Sequence, residues 1–174
     1  IGPVITMRTV IPGEVLEGMG EVRLRSTLDS LNPGARYTSG ESVMLWGLRL
    51  DDPLSAALPE DPDDPAVEDT DGDGEPGATL RIQPSVCDMG VVQRIVTRTW
   101  GHVLSSNGIV GTGAESNDQT VLWATSPFCR AQFPTLPAPG ERNRFVMVRV
   151  DGSHGSFDLD ADGDGSITCA EVMP

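Results

Sequence analysis

The sequence contains no lysine, few aromatic side chains and no apolar run long enough to cross a membrane as a helix. Each absence removes a class of function. All twelve basic residues are arginine and the net charge is −14, so the basic patch that phosphate recognition needs is missing and nucleic acid is excluded as a partner. The missing lysine reads first as the mark of a GC-rich genome. The longest apolar stretch, Val43 to Leu50, carries Arg49 and falls well short of the roughly 20 residues of a transmembrane helix. Of the two histidines, His102 and His154, neither sits in an H-E-x-x-H or other metal motif, and there is no G-x-S-x-G elbow. No enzyme activity is therefore expected. The three cysteines, Cys87, Cys129 and Cys169, lie far apart without a C-x-x-C pair, which argues against zinc and thioredoxin-like chemistry. In an oxidising compartment they imply one disulfide and an odd thiol. Cys87 and Cys129 are the expected pair, because both lie in or beside turns that flank strands, and Cys169 is then left over.

What the chain does have is turns and acid. Its 174 residues, 38% of them hydrophobic, suffice for one domain with its own core, whereas 20 Gly and 14 Pro leave little room for long helices. Strand-like patterns run along Val4 to Ile11, Glu21 to Leu28, Val43 to Leu50, Ala78 to Gln83, Val91 to Leu104, Ile109 to Thr112, Thr120 to Thr125 and Arg144 to Val150. The polar stretch Gly113 to Gln119 reads as the loop of a hairpin, Pro127 to Pro139 as a long loop or polyproline run, and Glu14 to Met19 and Leu54 to Leu58 as short helical turns. Trp46, Trp100 and Trp123 sit within strands and are expected in the core. The fold class that follows is mostly β: a single antiparallel sandwich or barrel of about eight strands, in one domain over residues 1–174.

The acids are not spread evenly. Eleven fall between Asp51 and Glu75 with no base among them, and six more between Asp151 and Glu171. Carboxylates this dense repel one another unless cations neutralise them. The C-terminal stretch 158–171 holds a twelve-position calcium loop beginning at Asp160. Asp160, Asp162 and Asp164 stand at positions 1, 3 and 5, Gly165 turns the chain at 6, Ser166 offers its carbonyl at 7, Ile167 is the apolar residue at 8, and Glu171 closes the site at 12. Calcium takes six to eight hard oxygens, and alternate residues of a tight loop can aim theirs at one centre. Only three residues follow Glu171, and Gly152 and Gly155 precede the loop, so entering and exiting helices are not expected. The insertion 51–77 repeats the D-x-D-x-D-G half at Asp69, Asp71 and Asp73, with Glu75 following. Its position 12 is Leu80, so the missing oxygens are expected from upstream acids such as Asp64.

These D-x-D-x-D-G runs resemble the isolated calcium loops of extracellular proteins, EF-hand-like, dockerin-like or thrombospondin type 3-like. The stretch from Leu54 through Ile82, with VVQR at Val91 to Arg94 and RFVMVRVD at Arg144 to Asp151, is similar to uncharacterised secreted or lipid-anchored proteins of GC-rich Gram-negative bacteria. The resemblance implies export and a calcium-bearing β domain, and no particular activity. Ile1 in place of an initiating Met fits a removed signal peptide or preceding region. The expectation is thus a secreted, cell-surface or periplasmic structural protein, holding two or more Ca2+ ions and contacting other subunits, with self-assembly by strand addition of Val4 to Ile11 as one route. A lipocalin-like barrel for small ligands and a carbohydrate-binding module are the competing readings.

Overall fold

A computed structural model describes residues 8–10, 25–83, 87–130 and 143–172. The fold is mostly β and antiparallel. Its strands are β1 (Arg8–Val10), β2 (Ser26–Leu28), β3 (Arg36–Ser39), β4 (Ser42–Trp46), β5 (Ala78–Gln83), β6 (Cys87–Ser105), β7 (Gly108–Ala124) and β8 (Arg144–Val148). Helix among the described residues is limited to α1 (Cys169–Val172) and two 3-10 turns, Pro127–Arg130 and Ser153–Gly155. None is long and apolar enough to cross a membrane. The turn expected at Glu14 to Met19 and most of the proline-rich stretch lie outside the described residues, whereas Leu54 to Leu58 forms turns and bends without a helix.

The long strand β6 organises the sheet. Along its length it pairs with β5, β4 and β3 in succession, placing Ala78 opposite Val91, Trp46 opposite Gln93 and Thr38 opposite Trp100. It also pairs with β7, which in turn pairs with β8, while β1 lies outside β5 and β2 outside β3. This path does not return to its start, so the described strands form an open sheet and not the barrel that was one of the two expectations. Arg8–Val10 pairs with β5 of its own chain.

Two boundaries differ from the sequence reading for physical reasons. The expected hairpin loop Gly113 to Gln119 is strand, and the reversal lies instead at Ser106 and Asn107. Ala114, Glu115, Ser116 and Asp118 are polar or small because they are exposed on a strand, and a solvent-facing strand has the composition of a loop. The expected strand Val43 to Leu50 stops at Trp46 because Gly47 takes φ +71, where a Cβ would meet the Val91 carbonyl oxygen at 2.4 Å. Only a glycine fits that close approach.

The chain divides into two compact units, residues Ile1–Arg23, Glu41–Thr97 and Glu115–Pro137 in one, Leu24–Gly40, Arg98–Ala114 and Ala138–Pro174 in the other. In the first unit β6 is buried on both faces. Cys87, Met89 and Val91 join Trp46, Ala78 and Leu80 in one cluster, and Val92 joins Leu48 and Leu122 in a second. The second cluster is covered by the acidic insertion, whose Leu58 and Val67 pack on it together with Leu50. The insertion is tied down at both ends. Leu48 bridges Val67, the Glu68 N–H donates to the Gly47 carbonyl at 2.9 Å, and the Arg94 guanidinium donates to the Ala56 carbonyl at 2.7 Å while pairing with Asp118. In the second unit Tyr37 and Val103 are buried, and the Tyr37 ring meets Phe145 edge-on at 5.8 Å.

Candidate metal centres

Both acidic loops fold around their first aspartate in the same way. Asp69 Oδ1 accepts the N–H groups of Gly72 and Asp73 at 2.7 and 3.2 Å, and its Oδ2 accepts that of Gly74 at 2.9 Å. Asp160 Oδ1 accepts those of Gly163 and Asp164 at 2.8 and 3.1 Å, and its Oδ2 that of Gly165 at 2.8 Å. The bonds run to the third, fourth and fifth residues in each case. The pattern depends on the glycines: Gly72 and Gly74 take φ 70 and 89, Gly163 and Gly165 take φ 73 and 83, and other residues reach that region only with strain.

The turns bring three carboxylates together twice. Asp69, Asp71 and Asp73 place ligand-capable oxygens within 4.8 Å of one another, and so do Asp160, Asp162 and Asp164. Such a triplet could hold a metal ion. In the first loop burial pushes the Asp71 carboxyl above its ordinary pKa, and the neighbouring Asp73 charge adds to the effect. For Asp69 burial acts the same way, but the N–H groups of Gly74 and Gly72 outweigh it and hold that carboxyl low. Asp71 Oδ1 is buried and has no hydrogen-bond partner. A buried anionic oxygen without a donor is costly, and a cation in the triplet is the kind of partner that would relieve it. On these grounds the first loop's residues fit a metal ion.

The loops differ in how they close. In the C-terminal loop Glu171 bends back, its Oε1 accepting the Ala161 N–H at 2.7 Å and its Oε2 accepting the Thr168 N–H at 2.7 Å and the Thr168 hydroxyl at 2.8 Å. Glu171 thus accepts the N–H of the residue before α1, one half of a capping box, and one helical turn begins within the last loop positions where no exiting helix was expected. The three N–H and hydroxyl donors, led by the Thr168 amide, hold the Glu171 carboxyl below its ordinary pKa. Ser166 is exposed and donates its N–H to Asp164 Oδ1 at 2.7 Å.

In the first loop that closing role falls to Thr79, which the sequence reading passed over. Its N–H donates to Asp71 Oδ2 at 2.9 Å and its hydroxyl to Asp73 Oδ2 at 2.6 Å. Glu75 is exposed, with its N–H on Asp73 Oδ1 at 2.9 Å. Of the upstream acids, Asp64 Oδ1 accepts the Ala66 N–H at 2.8 Å, Asp61 Oδ1 that of Asp63 at 3.0 Å, and Glu68 pairs with Arg49 at 3.0 Å. The exit of the loop is fixed by Trp123, whose indole Nε1 donates to the Pro76 carbonyl at 2.9 Å.

Compared with protein-family models, with curated proteins and with solved structures, the chain matches none.

Proposed function

We propose that this is a calcium-binding, exported β domain whose two acidic loops are locked by Ca2+ and which serves as a structural or interaction subunit of a cell-surface or extracellular assembly. The observation that carries the reading is the paired geometry of the two triplets, with the Asp71 oxygen left without a donor in the first. Calcium suits a purely carboxylate and carbonyl donor set, and the softer metals prefer imidazole or thiolate. Asp69, Asp71 and Asp73 hold one ion with the carbonyl of Glu75, which stands at the same loop position as Ser166. Asp160, Asp162 and Asp164 hold the other with the Ser166 carbonyl and Glu171. The resemblance to extracellular calcium loops supports export, and the lipocalin-like alternative loses its premise in an open sheet.

Titration calorimetry of the whole chain tests this. Two calcium-binding events are expected. Glu171→Gln weakens one of them by roughly tenfold or more, because it removes a charge and a bidentate oxygen pair. Asp71→Asn weakens the other. An absence of calcium heat in the unaltered chain would defeat the reading.

Export further implies the Cys87–Cys129 disulfide. In support, Cys87 is buried at the start of β6. The adjacent Asp88 also bonds twice to Thr125, its N–H donating to the Thr125 hydroxyl at 3.0 Å and its carbonyl accepting the Thr125 N–H at 3.0 Å. Thr125 lies four residues before Cys129. Non-reducing peptide mapping is expected to recover a cross-linked pair containing Cys87 and Cys129. Three free thiols in native material would count against both the pairing and export.

A further inference from the structure

Four described arginines are engaged in ion pairs: Arg49 with Glu68, Arg81 with Asp88, Arg94 with Asp118 and Arg149 with Asp151. In a chain of net charge −14, Arg36 and Arg98 are exposed and have no carboxylate partner among the described residues, as is also true of Arg25, Arg130 and Arg144; Arg36 and Arg98 differ in bordering one groove. Asp29 follows β2 and donates its N–H to the Arg36 carbonyl, yet forms no ion pair with the Arg36 side chain. Both arginines border an open groove of about 310 Å³ in the second unit, lined also by Tyr37, Thr38, Trp100 and Gly101. The β3–β6 register sets Thr38 opposite Trp100 and Arg36 opposite His102, so Trp100 lies between the two arginines, about 7 Å along the strand from each. The Trp100 ring is 41% exposed, and the Thr38 hydroxyl oxygen is buried without a hydrogen-bond partner. An exposed ring between two unpaired guanidiniums fits a partner with an apolar ring face and acids on either side of it.

The chain itself carries such a shape in its acidic insertion. Residues 60–65 read Glu-Asp-Pro-Asp-Asp-Pro, and Glu60, Asp61, Pro62, Asp63 and Pro65 are exposed. Two consecutive turns hold them: the Asp64 N–H donates to the Asp61 carbonyl at 3.1 Å and the Val67 N–H to the Asp64 carbonyl at 2.9 Å, with the Asp61 and Asp64 carboxylates capping Asp63 and Ala66. Such a knob loses little freedom on binding. Glu60, Asp61 and Asp63 have no ion pair among the described residues. We propose that the Glu60–Pro65 knob of one copy docks into the Arg36–Trp100–Arg98 groove of a second copy, proline against the indole and carboxylates against the guanidiniums. This rests on the assembly reading above and names its partner and its polarity. Knob and groove are different surfaces, so the contact is head-to-tail and propagates from copy to copy, as a ring or an open chain according to the rotation between copies. Repulsion between the two acidic bodies is screened beyond about 8 Å at physiological ionic strength, whereas the contact pairs act at closer range. Exposed pairs are individually weak, so assembly rises with concentration and falls with added salt.

Sedimentation velocity on the calcium-loaded chain tests this with two one-sided variants. Arg36→Glu with Arg98→Glu removes the groove and keeps the knob. Glu60→Arg with Asp63→Arg removes the knob's charge, changes neither capping carboxylate, and keeps the groove. The unaltered chain is expected to show a mass that climbs with concentration, and each variant alone to stay at 18.5 kDa. An equimolar mixture of the two is expected to recover assembly, because the native knob of one still meets the native groove of the other and the two reversed surfaces are themselves of opposite charge. An unaltered chain that stays monomeric, variants that assemble as it does, or a mixture that stays monomeric overturns the proposal. Arg36→Ala with Arg98→Ala gives the same readout should the charge reversals unfold the second unit. Calcium heats measured on the same samples separate the two readings: intact binding without assembly defeats the docking alone, and absent binding defeats the calcium reading.

Discussion

Stripping calcium is expected to lower the melting temperature by roughly 3–10 °C for each loop it empties. Extracellular calcium modules bind in the range of about 0.1–1 mM. At ten to a hundred times that dissociation constant an ion stabilises the folded state by about 1.4–2.7 kcal/mol per site, and for a chain of this size each kcal/mol moves the midpoint by about 2–4 °C. The two loops lie in different compact units, Asp69 to Gly74 in the first and Asp160 to Gly165 in the second. Asp71→Asn should therefore remove the calcium response of the first unit and Glu171→Gln that of the second. The effect also depends on pH. The Asp71 carboxyl sits above its ordinary pKa through burial and the Asp73 charge, so the fold disfavours its ionised form, and the metal-free chain loses stability as pH rises through that raised value. Glu171 has the opposite sign: its lowered pKa gives a contribution present at neutral pH and lost as pH falls through the folded value. Both groups must be ionised to hold the metal, so the calcium-dependent gain in melting temperature is largest near neutrality and shrinks in acid. Melting curves with chelator and with excess calcium, at neutral and acid pH, measure it. An unchanged midpoint would mean that neither loop is a structural site.

How much of this was legible in the sequence depended on how local the determinant was. The C-terminal loop could be read almost whole, because its aspartates, glycines and Glu171 lie within twelve residues and their hydrogen bonds stay within that span. The strand Ala78–Gln83 was equally plain, bounded by Pro76-Gly77 before it. By contrast, the strand Arg36–Ser39 carries no apolar alternation; Tyr37 and Ser39 are buried there because β6 lies alongside. Thr79 gave no sign of its role, since a threonine in a strand is ordinary, and only the fold brings its hydroxyl to Asp73. Trp100 was expected in the core for the same reason of context: Trp46 is 7% exposed in the same kind of strand, and no feature of the neighbouring residues tells the two apart. How the first loop completes its oxygen shell is not legible locally: acids such as Asp64 are near in sequence, but the placing of Asp61, Asp64 and Glu68 is set by the turns of their segment and by Arg49.

The last expectation joins the core to the metal without touching an acid. A Cβ placed on Gly90 would stand 2.0 Å from Nε1, 2.4 Å from Cε2 and 2.6 Å from Cδ1 of Trp123. These atoms belong to a rigid ring, so Gly90→Ala cannot be absorbed by turning a flexible chain end; the indole itself must move. Its Nε1 would then leave the Pro76 carbonyl, which it now meets at 2.9 Å, and that carbonyl lies between the first acidic triplet and β5. Overpacking costs about 1–3 kcal/mol, and a lost hydrogen bond that strands its partner about 1–3 kcal/mol more. The melting temperature of the calcium-loaded chain should fall by roughly 5–20 °C, using the same scale of about 2–4 °C per kcal/mol. Thr79 and Pro76 follow the aspartates that β5 holds in place, so loosening this exit should also weaken calcium at Asp69, Asp71 and Asp73 and leave the Glu171 site as it was. Gly108→Ala is the control: its added Cβ would come no closer than 3.6 Å to any atom, and a change within about 0.5 kcal/mol is expected. Should Gly90→Ala melt with the unaltered chain, or weaken both calcium sites alike, the indole is not what fixes the first loop to the sheet.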